Sequence, residues 1–215
     1  MESVLVLGAG PQARVIPDVV AACGNLKLLG FVDVADERRF LRGDATRFPI
    51  YESTQFPAEL KAKLGKFSVL VSNPVGEQST QLIAQAQKAG FSFINIIHPS
   101  AIVSPSASIG QGVLILPGVI LGPGVSLGNH VVLNTAVTID HDGVLQDNIT
   151  IGPGVHLAGG VLVKSGTSIG VGASSAPGVT IGSNCLIGAG SVIIENIPDS
   201  VVAAGVPARV LRPRH

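Results

Sequence analysis

The chain has 215 residues, 46% of them apolar and only 13% charged, and its formal net charge is zero. That length allows one large or two small domains with ample material for cores, while the neutral balance gives no electrostatic support for a nucleic-acid partner. No apolar run approaches the length that crosses a bilayer, and the start, MESVLVLGAG, lacks the basic segment of a secretory leader, so no membrane partner and a cytoplasmic location are expected.

Residues 1–96 alternate apolar runs with helical stretches. SVLVLGAG (3–10) reads as a buried strand ending in glycines, followed by a helix through Ala22. Residues 26–34 read as a second strand, 67–73 as a further strand and 75–89 as a helix, and 91–99 leads out of the unit. This predicts a small, Rossmann-like α/β unit with a mostly parallel sheet, whose ligand should sit at the carboxyl ends of the strands. Gly8 and Gly10 open the first helix, and Asp33 lies toward the end of the second strand. Glycines permit close approach of a phosphate, and an acid at that separation from them can grip a ribose. The third fingerprint position is Ala13, and the unit is too short for two halves. It reads as a mononucleotide-type site for a nucleotide-linked substrate, with NAD as the alternative. The candidate contacts are Gly8, Gly10, Pro11, Gln12, Asp33 and Asn73.

From residue 97 to residue 198 the rhythm changes. An aliphatic residue recurs at every sixth position from Ile97 through Ile115, Leu133, Ile151 and Ile169 to Ile193, and only Ser175 breaks the series. A small or β-branched residue follows each by four, as at Val113, Val131, Val155 and Cys185. Neither a helix nor an ordinary strand has this period. Hexads of this kind form a short strand and a corner. Three of them close one triangular coil, which buries its apolar row only by stacking on its neighbours. The third residue after the aliphatic one is mostly Gly or Asn, including Gly112, Gly160, Asn148 and Asn196, the types that tolerate positive φ. Cys185 falls in an inward slot, and neither it nor Cys23 has metal-ligand spacing, so both read as free thiols. Residues 199–215 read as a C-terminal tail.

The period also assigns neighbours. His141, at a corner, should stack between Pro123 and Gly159, which lie one coil to either side. Gly159 and Gly160 together leave bare backbone N–H groups beside the imidazole. A histidine near neutral pKa can act as general base, a backbone N–H can stabilise an oxyanion, and Asp142 can orient the ring. Asp142 also fits the corner for backbone reasons alone, Asp140 is the second choice for the orienting role, and Gly159 serves equally as a plain coil glycine. Asn134 either lines the site or builds an asparagine ladder. His98, His130 and His156 read as surface or interface residues.

The order of parts, with IIHPSAIVSPSASIG entering the coils, AGVPARVL (204–211) leaving them and NTAVTIDHDGVLQDNITIGPGVHLAGGV (134–161) between, resembles a bacterial sugar O-/N-acyltransferase family. That family includes sialic acid O-acetyltransferase and the aminosugar N-acetyltransferases acting on nucleotide-linked 4-amino sugars. The resemblance implies a left-handed parallel β-helix after the α/β domain, His141 as the catalytic base, acetyl-CoA as co-substrate without a metal, and a homotrimer whose active site lies between adjacent subunits. It implies a 4-amino sugar substrate, GDP-perosamine for the members most alike, and a place in surface-polysaccharide (O-antigen, lipopolysaccharide) precursor synthesis. Coenzyme A would run along the prism past Gly159 and Pro177, with Lys164 and Arg209 as candidates for its phosphates. Two positions depart from the family pattern, Gln12 and Thr150, where a histidine is usual. The alternatives are O-acetylation of a sugar hydroxyl, a zinc hydro-lyase resembling γ-class carbonic anhydrase built on His130, His141 and His156, and a non-catalytic nucleotide-sugar sensor.

Overall fold

A computed structural model describes residues 1–33 and 47–214. The chain divides into two compact units, Met1–Pro99 and Ser100–His215. Among the described residues no helix is long and apolar enough to cross a membrane.

The first unit contains β1 (Glu2–Leu7), α1 (Ile16–Cys23), β2 (Leu26–Asp33), β3 (Ile50–Glu52), α2 (Ala58–Leu64), β4 (Ser68–Val71) and α3 (Glu77–Lys88). Val34, the expected end of the second strand, lies outside the described residues. The four strands are parallel in the order β3-β2-β1-β4. Val4, Leu5 and Val6 of the central β1 are wholly buried, as a strand covered on both faces requires. The single helix expected through Ala22 is a 3-10 turn, Pro11–Arg14, and then α1. Pro17 has no N–H to give to a preceding turn, so one continuous helix cannot pass through it. Strand β3 and helix α2 have no counterpart in the sequence reading, because three and seven residues are too few to display a period. Phe56, Phe67 and Phe91 stack with centroids 5.5 and 4.9 Å apart, helping to close the core between α2, β4 and α3.

In the second unit every hexad forms a strand of two or three residues that ends on its inward residue, for example Ser126–Leu127, Val131–Leu133 and Thr138–Ile139. Strands pair in parallel with partners three hexads away, as in Ser126↔Val144, Val132↔Thr150 and Thr138↔His156. The three ladders are the faces of a prism. Corner residues from Gly112 to Gly190, one per hexad, all have φ between 50° and 75°, including the non-glycines His130, Ala136 and Asp142. Asn196, expected in the same series, is not among the positive-φ residues, as the chain there leaves the coil. The ladders draw on the N–H groups of the strand's first residue, of the residue after the strand and of the corner. The slot between the last two donates nothing to the ladder, which is why Pro105, Pro117, Pro123, Pro153 and Pro177 sit there without cost.

The residues read as a tail supply two more strands. Val201–Gly205 pairs in parallel with Leu186–Ile187, and Ala208–Pro213 returns antiparallel to it. An edge strand left unpaired invites such an addition. The Arg214 guanidinium then donates to the Cys185 carbonyl at 2.6 Å.

Leu133 is wholly buried in its inward slot. Leu133→Ala should therefore cost about 2–5 kcal/mol, read as a lowered midpoint in chemical denaturation with an unchanged slope.

Candidate active site and substrate crevice

In the α/β unit the strand order decides where a ligand can enter. From β1 the chain moves outward through β2 and β3, then crosses back to place β4 on the other side of β1. The crevice of such a sheet opens at the carboxyl ends of the two strands flanking that reversal. A cavity of about 370 Å³ lies there, lined by Gly8 after β1, Ser72 and Asn73 after β4, and Gly76, Glu77 and Gln78 at the start of α3. Of the six contacts expected from sequence, Gly8 and Asn73 line this crevice. Gly10, Pro11, Gln12 and Asp33 do not: Gly10 begins the 3-10 turn, and Asp33 ends β2 and is buried. The α3 residues were missed because the fingerprint directs attention to β1 and β2, whereas the reversal falls between β1 and β4.

In the prism, His141 stands where the repeat puts it. The Asp142 N–H donates to Pro123 O at 2.9 Å, the Gly160 N–H to His141 O at 2.8 Å, and the Gly178 N–H to Gly159 O at 2.9 Å. Pro123, His141 and Gly159 thus form one corner column. Asp142 is held left-handed, with φ 59°, and its carboxylate turns back to accept the His141 Nδ1–H at 2.9 Å. A carboxylate only accepts, so a proton lies on Nδ1, and in the neutral ring Nε2 keeps its lone pair. Asp140 accepts the His141 backbone N–H at 2.7 Å. Neighbouring coils make room for both groups. A Cβ at Gly124 would come within 2.6 Å of Asp142 Oδ1, and one at Gly159 within 2.6 Å of His141 Cε1. The Gly159 N–H occupies the slot the ladder leaves unused, and no acceptor among the described residues engages it. The Asp142 hydrogen bond first, and the Asp140 charge second, hold the His141 imidazole above the usual histidine value.

Beside this corner a groove of about 420 Å³ runs along one face, lined by Thr138, Asp140, His156, Ala158, Ser174 and Ser175 among others. His156 bridges to Thr138 Oγ1 through Nδ1 at 2.8 Å. Sequence reading did not single out this row, although stepping one and two coils on from Thr138 gives His156 and Ser174. Asn134 is buried and donates to Ile151 O at 2.7 Å, a structural role. His130 is not a surface residue of the chain; it is buried at a different corner, and burial pushes its pKa down against the opposing Asp147 charge. The two basic candidates separate. Arg209 Nη1 lies 3.4 Å from Glu195, which continues the His141 column beyond Pro177. Lys164 lies at the next corner, 3.5 Å from Asp199. Both pairs are exposed and weak, so neither cation is tied up. Among the described residues no group of three or more His, Cys, Asp or Glu side chains could hold a metal ion.

The imidazole should titrate above a free histidine in a pH series of its ring resonances by NMR. Asp142→Asn, which removes the largest contribution, should move that midpoint to lower pH; an unmoved midpoint would show that the hydrogen bond does not control it.

No family model and no curated protein sequence matches the chain. Solved structures do. The GDP-perosamine N-acetyltransferase of Caulobacter crescentus, as a variant with one histidine replaced by alanine and in complex with CoA and GDP-perosamine, is 34% identical with a TM-score of 0.86, covering 98% of this chain and 97% of that one. The acetyltransferase domain of PglB from Neisseria gonorrhoeae, in complex with acetyl coenzyme A, is 34% identical with a TM-score of 0.84 over 98% of this chain and 99% of that one. WeeI from Acinetobacter baumannii shares the fold, with a TM-score of 0.82 over 98% of this chain and 100% of that one, at 22% identity. With near-complete coverage at 34% identity to two of these enzymes, the chain belongs to the left-handed β-helix family of nucleotide-linked amino-sugar acetyltransferases.

Proposed function

We propose that this protein is an acetyl-CoA-dependent N-acetyltransferase acting on the 4-amino group of a nucleotide-linked sugar, with GDP-perosamine as substrate. The observation that carries the reading is the corner at His141. A ring nitrogen with a free lone pair faces a bare glycine whose N–H is open, and a carboxylate fixes the tautomer. The sugar amine attacks the acetyl carbonyl carbon, and Nε2 of His141 takes the proton from the attacking nitrogen. The Gly159 N–H donates to the oxyanion that develops. As the oxyanion collapses the C–S bond breaks, CoA leaves as thiolate and the imidazolium returns a proton to it. No covalent acyl-enzyme is formed. The C. crescentus enzyme, which carries CoA and GDP-perosamine in one complex, supports direct transfer from donor to acceptor.

The donor lies past Gly159 and Pro177, with its phosphates toward Arg209, which is paired with Glu195 at the end of that column; Lys164, one corner away, is the alternative contact. The nucleotide is held by the α/β domain, 1–96, at the β1/β4 crevice with Gly8 and Asn73; Gly10, Pro11, Gln12 and Asp33 serve as flanking contacts. The transferase domain is 97–198. The groove has one wall in a single chain, and the second wall comes from a neighbouring copy in a cytoplasmic homotrimer.

The reading is tested by following free thiol release from acetyl-CoA against UDP-, GDP- and dTDP-linked 4-amino and 4-hydroxy sugars. Turnover with the GDP-linked amine is the expected result, and turnover only with hydroxyl sugars would move the assignment to O-acetylation. His141→Asn should lower kcat by roughly 10²- to 10⁴-fold while CoA binding persists; near-wild-type turnover would remove His141 as base. Because only the neutral imidazole and the free amine react, the rate should rise with pH through the elevated His141 pKa. In Asp142→Asn the acid limb should shift to lower pH, with a reduced plateau.

A further inference from the structure

One rung inside the coils differs from its neighbours. From Ser104 to Ala176 the residue after the inward one otherwise gives its N–H to the carbonyl of the inward residue one coil later, as from Asp140 to Leu157 at 3.0 Å, Lys164 to Ile181 at 2.9 Å and Ala176 to Ile193 at 2.7 Å. Only Gly182 and Gly188, where the chain leaves the last coil, donate elsewhere, to Ile197 and Ala203. At Ala158 the N–H goes instead to the Ser175 hydroxyl, at 3.0 Å. Pairing on that rung shrinks to His156↔Ser174, where the rungs to either side pair two residues. The Ser175 carbonyl accepts no hydrogen bond among the described residues. Ser175 is also the one non-aliphatic residue of its series, and it is partly exposed, whereas Ile139, Leu157 and Ile193 in the same ladder are buried.

The location gives this break a meaning. Ala158 immediately precedes Gly159, and Ser174 and Ser175 line the groove beside His141 together with Ala158. Ser175, whose carbonyl is an open acceptor, therefore lines the groove, and the open Gly159 N–H follows directly on Ala158 in its wall. A main-chain acceptor facing a ligand groove is satisfied by water or by the ligand. We propose that Ser175 is a positioning residue for the acyl donor. Its hydroxyl takes over the ladder N–H of Ala158, and this releases its own carbonyl to accept an amide N–H from the arm of the acyl-CoA. An aliphatic side chain at 175 has nothing to offer Ala158, so the ordinary rung closes and the acceptor is lost. The inference rests on the reading of the groove as an acyl-CoA site.

The test compares Ser175→Ala, Ser175→Val and Ser175→Thr with wild type, by calorimetric binding of CoA, by KM for acetyl-CoA and for the nucleotide sugar, and by thermal melting. Loss of one hydrogen bond predicts a roughly threefold to tenfold rise in the CoA Kd and acetyl-CoA KM for the Ala and Val variants. The sugar KM and the saturating kcat should stay near wild type, and Thr should restore binding. Ser175→Val, which completes the aliphatic series, should melt higher than wild type while binding CoA more weakly, a combination that a purely structural serine would not give. Wild-type CoA affinity in the Ala and Val variants would overturn the proposal, as would an equal loss in Thr. Failure of the wild-type protein itself to bind CoA would instead remove the reading of the groove on which the proposal rests.

Discussion

The structure of the second unit depends on one constraint, the register of three hexads between successive coils. Parallel strands stack at a fixed spacing of about 4.8 Å, so each residue lies directly beside its counterparts one coil before and one coil after. Side-chain identity at one corner then becomes a condition on the neighbouring coils. The His141 imidazole and the Asp142 carboxylate fit because Gly159 and Gly124 carry nothing in the spaces they occupy. The same register sends the N–H between strand and corner away from the ladder, which makes that slot suitable for proline at Pro123 and Pro177 and for an open donor at Gly159. Scaffold and site arise from one hydrogen-bonding rule.

An imidazole held by a carboxylate is not by itself a strong catalytic device at this corner. His141 and Asp142 have side chains 61% and 73% exposed, and in water a hydrogen-bond donor gains little by facing a developing charge. The Gly159 N–H becomes effective only when water is excluded and its dipole is fixed before the reaction. The proposed neighbouring copy would supply that exclusion, so assembly bears on the rate and not only on the shape of the groove. The pair also differs from a buried triad in its response to conditions, since salt screens exposed charges and leaves the hydrogen bond to Asp142 as the more durable control.

Legibility from sequence divides along the same line. The coils are legible because a period of six converts directly into neighbours, and the His141–Gly159 contact comes from stepping one coil along the chain. The crevice of the α/β unit is only half legible. Gly8 and Asn73 can be read as residues at strand ends, but the lining at Gly76, Glu77 and Gln78 depends on β4 lying beside β1, a tertiary fact without a local signal. Asp33 fits a ribose-binding position by spacing, yet it is buried at the end of β2 and is not among the residues that line the crevice. Strand β3 and helix α2 are too short to announce themselves. His130 has the composition of a surface corner and is nevertheless buried, since the period gives the slot but not what packs over it.

The departures from the repeat are informative because the repeat is otherwise so regular. A polar residue in an inward slot forfeits the burial that stabilises its neighbours, and a non-glycine at a left-handed corner costs roughly 1–2 kcal/mol. Such costs persist where something other than folding maintains them. Ser175 is the one exception in the aliphatic series, Thr167 and Ser191 being buried polar residues of the other inward slot, and Asp142 is one of three corner residues, with His130 and Ala136, that are neither Gly nor Asn. Asp142 directly follows His141, and Ser175 lies one coil beyond the chain that leads into Gly159. Ser175 and Asp142 therefore adjoin the same stretch of groove. In a solenoid each coil touches only its neighbours, so a local loss of stability stays local and the remaining coils keep the register. That independence is what lets the prism carry the His141 corner and the Ser175 rung without loosening elsewhere.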